Sequence, residues 1–299
     1  MFKKILKWLG ILLAGVVVLI LVGLLALYLL SEEKLNTVYQ VPESGITVTA
    51  DPESIARGEH LVDAMGFCKE CHGQDLSGSV VDEGWMTVRL VNPNLTAGKG
   101  GIGSQFSDED WVHAIRHGVK SDGTSVLGMP AELVNHLSDE DTAAIIAYLK
   151  SLPPVDNEMP RNHIGPMGRY MILQEPFLLA AQVIDHDAPR PTAPEPGVTP
   201  EYGEYISLHC KMCHGENLAG SSDPGSGPNI TQGGDPGNWT EADFINTIRT
   251  GTTPEGNALD PEMMPWKLIS TLTDDELRAI WLYLQSVPAL QTPLSTATP

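Results

Sequence analysis

The clearest pattern of hydrophobic and polar positions comes first in the chain. An uncharged apolar stretch runs from Trp8 to Leu30, preceded by Lys3, Lys4 and Lys7 and closed by Ser31-Glu32-Glu33. As a helix it rises roughly 34 Å, enough to cross a hydrocarbon core of about 30 Å. A secretory leader has a shorter apolar region, about 7–15 residues, and small residues at its cleavage site. Leu29-Leu30-Ser31-Glu32 offers no such site. The pattern predicts a retained single-pass anchor over residues 1–30. The lysines before it place the N-terminus in the cytoplasm and the remainder on the periplasmic, extracytoplasmic side.

Past a linker at 31–52, the apolar spacing becomes that of short amphipathic helices separated by Gly/Pro loops. Ser107 with Asp110, Ser138 with Asp141, Thr240 with Asp243 and Thr273 with Glu276 read as capped helix starts. Ile145, Ile146, Leu149 and Leu152 then form one apolar stripe, and Leu277, Ile280, Trp281 and Leu284 another. Pro153 and Pro288 stop those helices. No stretch alternates with period two over β-branched residues, so the expected fold class is all-α.

These helices belong to a repeat whose order is kept throughout. Cys-His-Gly at 71–73 matches 213–215, Pro93-Asn94-Leu95-Thr96 matches Pro228-Asn229-Ile230-Thr231, and Ile115-Arg116-His117-Gly118 matches Ile248-Arg249-Thr250-Gly251. Met129-Pro130 then matches Met264-Pro265, and Tyr148-Leu149 matches Tyr283-Leu284. The repeat predicts one domain over 53–154, an inter-domain linker over 155–197, a second domain over 198–290 and a tail at 291–299. Within the linker, Tyr170 to Ile184 is apolar enough for a helix, and the Pro-rich stretch 189–196 is an extended spacer.

Charge changes the picture in one respect. With 18 basic and 38 acidic residues the net charge is −20, which excludes a phosphate-neutralising surface and hence nucleic acid as partner. An acidic surface of this kind steers a basic redox partner or simply keeps the chain soluble.

The candidate chemistry lies in the cysteines. Cys68, Cys71, Cys210 and Cys213 are the only four, and each pair has a two-residue gap followed at once by His72 or His214. Such a Cys-x-x-Cys-His run is the signal of c-type haem attachment, two sulfurs tethering one porphyrin and the histidine reaching its iron. A structural zinc site would need four converging ligands, and a thioredoxin-like pair would need a βαβ setting. Two such runs heading matched repeats predict two haem c groups. Met129 and Met264, each directly before proline, stand at the same repeat position and are the candidate sixth ligands; Met263 competes with Met264. The other histidines (His60, His113, His117, His136, His163, His186 and His209) recur at no equivalent place, so they read as surface or satisfied polar groups. The carbonyls of Pro93 and Pro228 are candidate acceptors for the ligating imidazoles. Arg116 and Arg249 are candidates for the haem propionates or for helix-end carbonyls, and Trp85, Trp111 and Trp266 for the crevice walls.

On these residues the sequence resembles the class I cytochrome c family over about 53–154 and 198–290. Gly227-Pro228-Asn229-Ile230 and the Met-Pro before a last helix fit that family's order, with Asn92 standing in the first copy where glycine is usual. Pro-Asn-Ile-Thr, Trp239-Thr240-Glu241-Ala242-Asp243-Phe244 and Met264-Pro265-Trp266 are similar to the cytochrome subunits of membrane-bound alcohol and gluconate dehydrogenases, which carry three haem motifs to the two found here. The resemblance implies a membrane-tethered electron carrier, or an electron-transfer subunit of a respiratory, dehydrogenase or oxidase complex, with no catalytic residues of its own. A di-haem peroxidase is the alternative. It needs an iron with an accessible sixth position, and the two Met-Pro sites speak against that.

Overall fold

The structure, a computed structural model, describes residues 2–65, 68–222 and 225–293, apart from the side chain of Phe177. The chain forms two compact units.

The first unit is built from Met1–Ser44, Ser77–Glu132 and Pro154–Ala188. Helix α1, Phe2–Leu35, extends the predicted apolar stretch at both ends and is long and apolar enough to cross a membrane. Its large side chains, from Phe2 to Leu30, are almost all exposed. Helix α4 is Asp108–His117, where the predicted capping box closes: Ser107 and Asp110 each satisfy the other's backbone N–H. Gly118, at φ 61°, ends the helix in the left-handed conformation that glycine adopts without a Cβ clash. Three short antiparallel strands, β1 Ser79–Asp82, β2 Val88–Asn92 and β3 His163–Ile164, add a sheet in the order β1-β2-β3. Val80 faces Val91 in its register, and Val88 faces Ile164. The molecule is mostly helical, as expected, and this sheet is an addition to the reading. Its strands are two to five residues long, too short for a period-two signal.

Where a helix is predicted over 170–184, helix α6 covers Pro166–Gln174 and two single 3-10 turns follow at Pro176–Leu178 and Ala180–Gln182. Pro176 explains the break, because it holds Glu175 in extended backbone (ψ 90°). Helix α6 packs on α1.

The second unit comprises Gly45–Leu76, Leu133–Pro153 and Pro189–Pro299. Its core is two helix pairs. α2 (Pro52–Ala64) packs on α5 (Asp139–Ser151), and α7 (Pro200–Ile206) packs on α11 (Asp274–Ser286). Each crossing depends on a glycine that the repeat had not singled out. A Cβ on Gly58 would lie 1.9 Å from the Ala144 carbonyl oxygen, and one on Gly203 would lie 2.0 Å from that of Ala279. Ile145, Ile146 and Leu149 are buried in one pair and Leu277, Ile280, Trp281 and Leu284 in the other, as their stripes predict. Both last helices end in extended backbone at the residue before proline, Leu152 and Val287.

Three of the four predicted capping boxes close, at Ser107, Thr240 and Thr273. At the fourth, Ser138 accepts from the Asp141 N–H, but the Asp141 carboxylate is committed elsewhere. It accepts from Arg57 Nε at 2.8 Å, from Arg57 Nη2 at 3.0 Å and from the Tyr205 hydroxyl at 2.7 Å. Buried Glu276 similarly holds His60 Nε2 at 2.8 Å. Paired in this way, the buried carboxylates avoid the cost of isolated charge.

Candidate functional site

Four short helices of the second unit place the cysteine motifs and the elements around them: α3 (Cys68–His72), α8 (Cys210–His214), α9 (Glu241–Thr250) and α10 (Trp266–Ile269). After α8 the chain doubles back at once. Gly215 sits at φ 77°, and Leu218, fully buried, is forced to φ 61°, its N–H donating to the Gly215 carbonyl at 2.9 Å. Leu76 holds the same repeat position at φ 58°. A left-handed non-glycine residue costs on the order of 1–2 kcal/mol, which the burial of a leucine side chain offsets.

The reversal brings Gly220, Gly227 and Pro228 against α8. Gly220 N–H donates to the His214 carbonyl at 2.8 Å, and Gly227 N–H to that of Cys213 at 2.7 Å. The Pro228 carbonyl thereby reaches the His214 ring and accepts from Nδ1 at 2.7 Å, the contact expected from the sequence. Because proline's carbonyl can only accept, His214 must carry its proton on Nδ1, which leaves Nε2 as a lone-pair donor. Burial holds the His214 pKa below its ordinary value, against the opposing pull of that carbonyl, so the ring is neutral and fit to ligate. Gly227 is glycine for reasons of space: a Cβ there would lie 2.7 Å from Nδ1 and 2.8 Å from Cε1.

The methionines come from the loop between α9 and α10. Gly251, at φ 66°, ends α9, and the Trp266 ring lies so close that no Cβ would fit. Trp266 Nε1 donates to the Leu259 carbonyl at 3.2 Å, and the Asp260 carbonyl accepts from the backbone N–H of Met263 at 3.1 Å and of Met264 at 2.9 Å. Met264 is half-buried, whereas Met263 is 61% exposed.

These pieces enclose a cavity of about 230 Å³ lined by Cys210, Cys213, His214, Met263, Met264 and a largely apolar wall that includes Phe244, Ile248, Leu259, Ile280 and Leu284. Thr247 also lines it, with a buried hydroxyl that has no hydrogen-bond partner among the described residues. A flat apolar group with a polar edge, tethered through sulfur and ligated by imidazole, fits this donor set. The set suits the rival chemistries poorly. Burial pushes the thiols of Cys210 and Cys68 up to about 12, whereas zinc binding and thiol exchange need thiolate. Among the described residues no group of three or more His, Cys, Asp or Glu side chains converges as a metal site.

Of the other candidates, Cys68, Cys71 and His72 stand on α3 in the second unit, and Met129 lies after α4 in the first. The Arg249 guanidinium is turned to the Ser270 carbonyl and to Asp274 Oδ1, at 2.7 Å from the latter, which favours the helix-capping reading over a propionate partner. Trp85 is 74% exposed, Trp111 is buried, and Trp266 fills the space over Gly251. The wall residue that sequence reasoning overlooked is Trp239, whose Nε1 donates to Glu255 at 3.1 Å; its place directly before the Thr240 cap was the available signal. The other histidines are mostly satisfied polar groups. His163 Nε2 donates to the Trp85 carbonyl at 2.9 Å, and His117 and His186 share an Nδ1–Nδ1 hydrogen bond of 3.1 Å.

Residues 202–288 match the cytochrome c family, and residues 53–149 match the family described as cytochrome c oxidase, cbb3-type, subunit III. A protein named "Diheme cytochrome c-type" from Cereibacter sphaeroides is 29% identical over 286 residues, covering 82% of this chain and 92% of its own length. The alcohol dehydrogenase (quinone) cytochrome c subunit of Gluconacetobacter polyoxogenes is 25% identical over 81% of this chain, and the fructose dehydrogenase cytochrome subunit of Gluconobacter japonicus is 30% identical over 77%. The chain spans only 58% and 48% of those two relatives' lengths.

Proposed function

We propose, from the premise that this chain carries two cytochrome c-type domains behind a membrane-anchor helix, that it passes single electrons through two covalently bound haem c groups on the periplasmic side of a cytoplasmic membrane. In this reading the first domain spans 53–154 and the second 198–290. Cys68 and Cys71 would tether one haem and Cys210 and Cys213 the other, with His72, His214, Met129 and Met264 as the side chains that would ligate iron. The observation that carries it is the apolar cavity where Cys210, Cys213, His214 and Met264 meet. Met264 is favoured over Met263 by its repeat position and its lower exposure.

When bound, the haem supplies a one-electron couple and the protein sets its potential. His214 is held in one tautomer by Pro228, and the largely apolar wall would shield a bound haem from water. The buried Thr247 hydroxyl offers a donor to a polar edge. The net charge of −20 favours encounter with a basic redox protein. Similarity to cytochrome subunits supports service as the electron-transfer subunit of a membrane dehydrogenase or oxidase complex.

Expression in a host with c-type attachment machinery tests this directly. The denatured chain should retain two haem masses, and Cys210→Ala/Cys213→Ala should retain one. A colourless product would defeat the proposal.

A further inference from the structure

An uncharged face lies where the chain leaves its apolar span. Helix α6 packs on α1, and Arg169 fixes the level at which it does so. Arg169 Nη1 donates to Ser31 Oγ and to Glu32 Oε2, each at 2.8 Å, and the guanidinium lies 4.2 Å from the Tyr28 ring centre. Those three partners bracket the end of the apolar run of α1, so α6 is held beside its last apolar turn. On α6, Gly168 and Ile172 are buried, while Met167, Tyr170, Met171 and Gln174 are exposed. Spaced i, i+3, i+4 and i+7, those four residues form one stripe along the helix.

The stripe is at odds with the rest of the surface. In a chain of net charge −20, the segment from Ile164 to Ile184 contains one basic and one acidic residue, Arg169 and Glu175. Arg169 is turned to α1, and Glu175 lies beyond the end of α6. We infer that the Met167–Tyr170–Met171 face of α6 is seated in the headgroup–acyl boundary of the same bilayer, a second lipid contact beside the span. Continuity selects lipid as the occupant. Tyr28 and Leu29 on the adjoining turn of α1 are themselves exposed, so span and stripe present apolar side chains at the same level of the molecule. Tyrosine and arginine at this level match the preference of amphipathic side chains for the interface. A single span leaves the unit beyond it free to swivel about the helix axis, and a contact away from that axis removes the freedom.

The inference rests on the reading of α1 as a membrane span, and the experiment separates the two. The full haem-loaded chain is placed in phospholipid nanodiscs with benzoylphenylalanine substituted, one site at a time, for Val18 on α1, Met171 on α6 or solvent-exposed Lys99, then irradiated and weighed. Lipid adducts at 18 and at 171, each several-fold above those at 99, are expected. Adducts at 18 but not at 171, or capture of protein at 171, would overturn the lipid contact and leave the span standing. No adduct at 18 would overturn both. In a second arm, Met171→Glu should speed amide exchange across 166–174 several-fold in nanodiscs while the haem absorption stays unchanged; exchange at the wild-type rate would also sink the inference.

Discussion

Replacing Gly227 by alanine should damage the second site through one contact. The added Cβ would meet His214 Nδ1 at 2.7 Å, Cε1 at 2.8 Å and Cγ at 3.1 Å, where ordinary contact begins at 3.4 Å. The ring must therefore retreat by roughly 0.7 Å, the difference between 3.4 and 2.7, or rotate away from its preferred rotamer. Either motion weakens the 2.7 Å hydrogen bond to the Pro228 carbonyl. Losing that bond costs about 0.5–1.5 kcal/mol and a displaced rotamer a similar amount, so the expected destabilisation is about 1–3 kcal/mol. The bond also makes the imidazole a stronger donor and so favours the oxidised iron; weakening it should raise the potential of the second haem. Guanidinium unfolding of the detergent-solubilised, haem-loaded chain reads the first effect, and a redox titration reads the second. Gly197→Ala is the control, since its Cβ would meet nothing within 4 Å. Equal unfolding midpoints and equal potentials for the two variants would refute the reasoning.

Gly203→Ala should be the harsher change, because its Cβ would lie 2.0 Å from the backbone of Ala279; overpacking a helix crossing costs about 1–3 kcal/mol or more, read as a lower melting temperature. Acidification should weaken the fold through His117. Burial and then the neighbouring His186 hold its pKa down at about 4, so between pH 6.5 and 4 the unfolded chain binds a proton that the folded chain refuses. Stability present above pH 6.5 is lost as the pH falls through that window, by about 1–2 kcal/mol after discounting for solvent screening. His117→Gln should flatten that part of the stability–pH curve, and an unchanged slope would show that the histidine contributes nothing.

What the sequence made legible was whatever is local. Ser107, Thr240 and Thr273 announce their helices because a cap and its partner lie three residues apart, and the Pro228 carbonyl could be named because proline lacks a competing donor. Relations between distant residues stayed hidden. Asp141 looked like a capping partner until Arg57, 84 residues away, claimed its carboxylate. Gly58 and Gly203 carry no side chain to advertise the crossings they permit, and the three-stranded sheet pairs segments as far apart as Val88 and Ile164. Trp85 shows the same limit: a large aromatic suggests burial in a core, yet only the fold reveals that it is largely exposed.

The Pro-Asn-x-Thr turns extend their influence past the last helices. Asn94 Nδ2 donates to the Val155 carbonyl at 2.8 Å and Asn229 Nδ2 to that of Leu290 at 2.7 Å, while Thr96 and Thr231 accept the backbone N–H of the same two residues. A fragment cut for transplantation at Ser151 or Ser286, where the final helical turn closes, would thus leave behind the strap that buckles each turn shut. The natural seam for exchanging either module lies a few residues downstream, beyond Val155 and Leu290.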